Sequence, residues 1–176
     1  MITFREMHPE EICRIAEIDR SEEISQEYVH RDGELRLRNV HWSVTRWKQE
    51  GPAEHSVAGK IAAWRPLLEA GATFGAFDGE KLVGVAIYHP DLSPGMAQCA
   101  VLHVSRPYRR RGLGAALTAR VVEAARRDGA KQLYVSSSPS RATVEFYQSL
   151  GFAPTAHPNR ELLELEPEDI HMTMDL

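Results

Sequence analysis

Apolar and polar residues alternate over 2–7, the pattern of a strand with one buried face. His8 and Pro9 end it, and Pro9 suits a first helical turn ahead of Ile12, Ile15, Ala16 and Ile18, which share one helical face. The pattern then loosens over 21–52. Within that stretch Tyr28-Val29-His30 and Leu35-Arg36-Leu37-Arg38 flank Asp32-Gly33, which predicts a hairpin of two short strands. Trp42 and Trp47 follow with no period that buries both, so 21–52 reads as an excursion from the core that acts as a substrate lid. Helical spacing returns over 57–68 and closes at Gly71, with Pro66 inside it as a kink site. A second hairpin spans 73–88 around Asp78-Gly79-Glu80, and 82–87 is apolar enough for a central strand. The chain continues with a strand ending at Val104, a helix to about 128, a strand at 132–135 and a short helix at 143–150. Phe152, 162–165 and 170–176 read as late strands. The order predicts a single α/β (α+β) domain over 1–176, with a mixed central sheet of about six to seven strands flanked by about four helices.

Composition narrows the partners. A chain of 176 residues buries a proper core without disulfide or metal staples. Its formal charge of −4 argues against a nucleic-acid coat, so Arg109-Arg110-Arg111 is a local cationic feature on an acidic background, suited to a small anion. Cys13 and Cys99 lie in apolar periodic segments, which predicts buried thiols, and no spacing suggests a metal site. The opening MITFREMHPEE has no signal-peptide zones and no window spans a bilayer, so a cytoplasmic protein without a membrane partner is expected.

The densest chemistry lies at 101–115, VLHVSRPYRRRGLGA. It reads as a strand, a tight cationic turn and a helix start. Such a turn presents backbone N–H groups at the positive end of a helix dipole, where a phosphate is stabilised. No Gly-Lys-Ser/Thr follows and the strand order is wrong for it, which disfavours a P-loop nucleotide site.

Arg109-Arg110-Arg111-Gly112-Leu113-Gly114 resembles the acyl-CoA signature of the GNAT superfamily of N-acyltransferases: arginine or glutamine, two residues, glycine, one residue, glycine or alanine. Glu145-Phe146-Tyr147-Gln148-Ser149-Leu150-Gly151-Phe152 resembles that family's second hallmark, a Phe-Tyr pair before Leu-Gly-Phe. The resemblance covers nearly the whole chain. It implies a GNAT-like fold and an acetyl-CoA-dependent N-acetyltransferase that moves the acetyl group directly to a primary amine of a small molecule or a peptide N-terminus. It also implies a homodimer as a common assembly. The coenzyme pyrophosphate would rest on Arg109, Arg110, Arg111, Gly112, Leu113, Gly114 and Ala115, where a Cβ on either glycine would block close approach or the backbone angles. The pantetheine arm would run along Leu102, His103 and Val104, beside Ser140, Phe146 and Tyr147.

Three positions depart from the pattern. Ser140 and Thr143 stand where members often carry asparagine and alanine, and Ser140 keeps a hydroxyl for a pantetheine amide. Gln98 stands where some members place a carboxylate base, which keeps a second reading open: an acyl-CoA-binding module with little or no transferase activity. Tyr147 is the implied acid, since a phenol of reference pKa ~10 stays protonated beside a thiol of ~8.5. His103 is the one residue of the central strand with a reference pKa near neutrality, ~6.5, and is the candidate base, though alternation does not tell which way its ring faces. Glu22, Glu23 and Tyr28 in the excursion would bind a cationic acceptor. The acidic run Glu161, Glu164, Glu166, Glu168 and Asp169 reads as a solvated face, with the lining of the acceptor site as the other reading.

Overall fold

A computed structural model describes residues 1–48 and 56–176, so residues 49–52 of the expected excursion lie outside the described residues. The chain opens with β1 (Ile2–Met7) and a 3₁₀ segment (Pro9–Glu17), followed by the hairpin strands β2 (Glu22–Arg31) and β3 (Glu34–Val44). Then come α1 (Val57–Ala70), β4 (Ala72–Asp78), β5 (Lys81–Ser93) and β6 (Met96–Val104). The second half holds α2 (Leu113–Arg127), β7 (Gln132–Ser137), α3 (Arg141–Ser149), β8 (Ala153–Pro154), α4 (Arg160–Leu165) and β9 (Ile170–Asp175).

Seven strands form one mixed sheet in the order β1-β4-β5-β6-β7-β9-β8, and only β6 and β7 run parallel. Each face has its own core. Leu117 and Val121 of α2, with Val144 and Tyr147 of α3, pack on one side against Val83, Ala97, Leu133 and Val135. The 3₁₀ segment and α1 cover the other side, where Ile12, Ile15 and Ile18 meet Leu82, Val85 and Ile87. The spacing of these three isoleucines by threes suits the 3₁₀ turn, which eclipses i and i+3. The His8 backbone N–H donates to the Glu11 carboxylate at 3.0 Å and fixes where that segment starts. Among the described residues no helix is long and apolar enough to cross a membrane.

Two irregularities of β6 shape the centre of the sheet. The pairing with β5 shifts between Ile87↔Val101 and Tyr88↔Cys99, leaving Ala100 as an extra residue. A bulge of this kind inverts the alternation. Ala97 and Cys99 accordingly belong to the α2–α3 core, whereas Val101 belongs to the opposite one. On its other side β6 pairs with β7 only from Met96↔Gln132 to Gln98↔Tyr134. Beyond Gln98 the two strands separate, and the edge at 99–104 lacks a strand partner there.

Several expectations are corrected. The run 162–165 is part of helix α4, because Asn159 caps it by accepting from the Leu162 N–H at 3.1 Å and Arg160 pairs with Glu164 one turn on. Leu165 is exposed there, so the apolar run is not a core strand. Cys13 is exposed rather than buried, while Cys99 is buried. The predicted hairpin exists, with Asp32 (φ 53°) and Gly33 (φ 79°) both left-handed as a type I′ turn requires, but its strands are much longer than the pattern indicated. Its backbone is also fastened to the turn after β7, through the Tyr28 N–H to Pro139 O (2.8 Å) and a bridge between Glu27 and Ser140.

Candidate active site

The cationic turn is built as the spacing suggested. The Arg109 N–H closes a 3₁₀ turn onto Arg106 O at 3.3 Å, and the first bond of α2 runs from the Ala116 N–H to Gly112 O at 3.0 Å. Between them, the N–H groups of 110–115 have no backbone acceptor among the described residues. Arg110 (φ 60°) and Gly112 (φ 81°) take left-handed angles, which turn successive N–H groups into one concavity. A Cβ on Gly112 would meet no protein atom within 4 Å, so that glycine answers to its backbone angle. Gly114 answers to packing: a Cβ there would lie 3.1 Å from the Phe146 ring, which brings the two hallmarks into direct contact.

The three arginines divide. Arg109 donates to Val104 O, to the Glu22 carboxylate and to Arg20 O, each at 3.1 Å, and so fastens the turn to the end of β6 and the start of β2. Arg110 and Arg111 are exposed, with the Arg111 guanidinium 5.4 Å from the Tyr108 ring centre. Free cationic charge at the turn therefore comes from these two. The expected acceptor residues are likewise split. Glu22 is held by Arg109, Glu23 is exposed, and the Tyr28 hydroxyl donates to Glu145 at 3.2 Å across from α3.

On β6, the Ser105 N–H donates to Val83 O at 2.8 Å. By alternation Leu102 and Val104 turn their backbone groups to the open edge, while His103 turns its own toward β5. The His103 ring packs at 5.3 Å edge-on to Trp47 and 6.2 Å from Trp64. Burial, followed by the charges of Arg20, Lys60 and Arg109, pushes its pKa down to about 4. His103 is thus neutral and weakly basic at physiological pH.

Tyr147 is 6% exposed, with its ring against Phe146 and Phe152. Its hydroxyl has no hydrogen-bond partner among the described residues, and its ring lies in the α2–α3 core with Cys99 of β6. Burial first, then Cys99 and Asp169, hold its pKa well above that of an ordinary phenol. The group is a proton donor at neutral pH. The Ser140 hydroxyl is occupied in capping α3, 3.3 Å from the Thr143 N–H and 2.8 Å from the Thr143 hydroxyl.

A cleft of about 390 Å³ lies between the hairpin and the segment preceding β9, lined among others by Glu27, Tyr28, His30, Glu168, Asp169 and His171. Glu27, 7% exposed, accepts from Arg38 and from the Trp42 indole, each at 2.8 Å. Asp169 accepts from the Ser136 hydroxyl at 3.3 Å, and burial together with Glu166 raises its pKa to about 6. Sequence reasoning missed Glu27, whose orientation depends on a hairpin register that periodicity does not reveal. It placed Asp169 only within an acidic run, although its position just before β9 was a usable signal.

A family model described as Acetyltransferase (GNAT) family matches residues 35–152. No curated protein matches the sequence. Among solved structures, a nourseothricin acetyltransferase is 20% identical with a TM-score of 0.72, over 99% of this chain and 98% of that one. A Bacillus anthracis structure assigned as a streptothricin acetyltransferase, in complex with acetyl coenzyme A, is 15% identical with a TM-score of 0.74, over 100% and 99%. The ribosomal-protein-S18-alanine N-acetyltransferase of Escherichia coli is 19% identical with a TM-score of 0.63, over 99% and 94%.

Proposed function

Since the chain belongs to the GNAT acetyltransferase family, we propose that it transfers an acetyl group from acetyl-CoA directly to a primary amine. The observation that carries this reading is the run of unpartnered N–H groups at 110–115, which follows on the open edge of β6, where Cys99 shares a core with Tyr147. Acetyl-CoA, when bound, supplies the acetyl thioester. The turn at 110–115 holds a pyrophosphate, with Arg110 and Arg111 adding charge-assisted hydrogen bonds. Leu102 and Val104 offer main-chain groups to the pantetheine arm, and an N–H on this edge polarises the thioester carbonyl. A donor of that kind is worth on the order of 10²–10³ in rate. Tyr147 protonates the sulfur as it leaves. The hairpin walls the acceptor cleft, and its acidic lining suits a cationic amine.

Titration of the melting temperature with acetyl-CoA and with coenzyme A tests the donor site, and a rise that saturates is expected. Incubation with acetyl-CoA and spermidine, kanamycin, lysine or an alanyl peptide, following free thiol, tests the transfer. No melting shift with either coenzyme form refutes the donor site. Saturable binding without thiol release from any amine refutes the transfer.

A further inference from the structure

Resting on the amine-acetyltransferase reading, we propose that Asp169 is the catalytic group that receives the acceptor's proton, from its seat in the cleft between the β2–β3 hairpin and the start of β9. Of the carboxylates on that cleft, Glu27 has both oxygens engaged, by Arg38 and by Trp42. Glu168 is exposed. Asp169 is half-buried; one oxygen accepts from Ser136, and the other has no hydrogen-bond partner among the described residues.

Its position fits the chemistry. Ser136 lies on β7 two residues beyond Tyr134, the last residue that pairs with β6, so Asp169 stands beside the opening between those strands. Asp169 is also among the charges that raise the Tyr147 pKa, so the carboxylate lies within electrostatic reach of the phenol. A donor for sulfur and an acceptor for nitrogen must flank the same carbonyl. The segment carrying Asp169 is held in place from β7 and by its own strand. The Asn159 N–H donates to the Tyr134 hydroxyl (3.1 Å), that hydroxyl to His171 Nδ1 (2.6 Å), and His171 Nε2 to Glu166 O (3.2 Å).

The groups around Asp169 are Ser136 on β7, Glu166, Glu168 and His171 on its own segment, and Glu27, Tyr28, His30 and Arg38 across the hairpin wall, with Tyr147 of α3 within electrostatic reach. Arg38 is committed to Glu27, which leaves negative charge in excess and favours an ammonium. Burial and Glu166 place the pKa of Asp169 at about 6, ionised at neutral pH and close to the range of an effective general base. His103, at about 4, is the poorer acceptor.

In the step, the Asp169 carboxylate takes one proton from the acceptor ammonium. The freed nitrogen lone pair forms the C–N bond, and the C–S bond breaks with its electron pair on sulfur, which takes the Tyr147 proton. The second proton leaving nitrogen passes to water and balances the one that Tyr147 regains, and Asp169 returns its own to water.

Asp169→Asn keeps the shape and the bond from Ser136 but cannot take the proton. With whichever of spermidine, kanamycin, lysine or an alanyl peptide wild type acetylates, its kcat/KM at pH 7.5 is expected to fall about 10²-fold or more, with the acetyl-CoA dissociation constant within about twofold. Wild-type kcat/KM should rise with pH through about 6, and Asp169→Glu should retain such a limb. Glu166→Gln removes the neighbouring charge and should move the limb to lower pH, which decides the matter even if Asp169→Asn does not fold. Undiminished kcat/KM in Asp169→Asn, or a limb that Glu166→Gln does not move, overturns the assignment while leaving the acetyltransferase reading intact. Thiol release from none of the four amines by wild type overturns both.

Discussion

The Asp169→Asn variant is expected to be more stable than wild type at neutral pH. Folding raises the pKa of this carboxyl from an ordinary 3.8 to about 6. The folded chain therefore holds that proton more tightly than the unfolded chain does between those two values. Ionised Asp169 destabilises the fold, a cost absent below about pH 4 and complete above about pH 6. A shift of this size corresponds to about 3 kcal/mol, and solvent screening of a half-buried group trims it to about 2 kcal/mol. For a chain of this length that is about 4–8 °C in Tm. Asparagine carries no such cost and still accepts from Ser136. Thermal melts followed by circular dichroism at pH 8 and pH 4 test this, because carboxyls away from Asp169 titrate alike in both proteins and cancel in the difference. A Tm gain at pH 8 that vanishes at pH 4 is expected. Equal melting at both values, or a variant less stable at pH 8, refutes the reasoning.

The arginine turn predicts a division of labour between neighbours. Arg109→Ala removes three hydrogen bonds and strands the Glu22 carboxylate, at a cost of about 2–3 kcal/mol in chemical denaturation, whereas Arg110→Ala should leave Tm within about 2 °C and weaken acetyl-CoA about tenfold by calorimetry. A destabilised Arg110→Ala with full affinity would reverse those roles. Tyr147→Phe keeps the packing against Phe146 and Phe152 but loses the donor, so kcat should fall about 10²-fold with the acetyl-CoA dissociation constant unchanged; undiminished turnover removes Tyr147 from the acid role. Gly112→Val places a β-branched residue at φ 81°, and the turn must reshape, with acetyl-CoA affinity falling at least about tenfold. Retained affinity would separate the turn from phosphate binding.

The legible parts of the fold were those encoded locally. Asp32-Gly33 and Asp78-Gly79 marked their hairpins because only certain residues accept left-handed angles, and the turn at 109–114 was readable because a left-handed glycine ahead of a helix start has a fixed spacing. What escaped depends on contacts between distant segments. The bulge at Ala100 decides that His103 faces Trp47 and Trp64 rather than the α2–α3 core, and no alternation rule foresees an inserted residue. The helix at Arg160–Leu165 was hidden because four apolar or acidic residues fit either period, and the Asn159 cap outweighs them. Whether Glu22 is free for a ligand depended on an arginine 87 positions away.

These long-range contacts also explain how the sheet tolerates its own opening. An unpaired edge in the middle of a sheet leaves main-chain groups without partners and invites either closure or pairing with another chain. Here Arg109 satisfies Val104 O at the mouth of the gap, and Phe146 packs against Gly114 on the α2–α3 side. Fastening the turn to the strand end holds the segment 110–115 next to the gap. The first arginine of the signature is thus part of the scaffold that holds β6 and the turn in register. The next two, with the free N–H groups, are the part that the scaffold leaves unengaged. A lysine at 109 would keep the charge but not the three-way fork, so charge alone is not what this position requires.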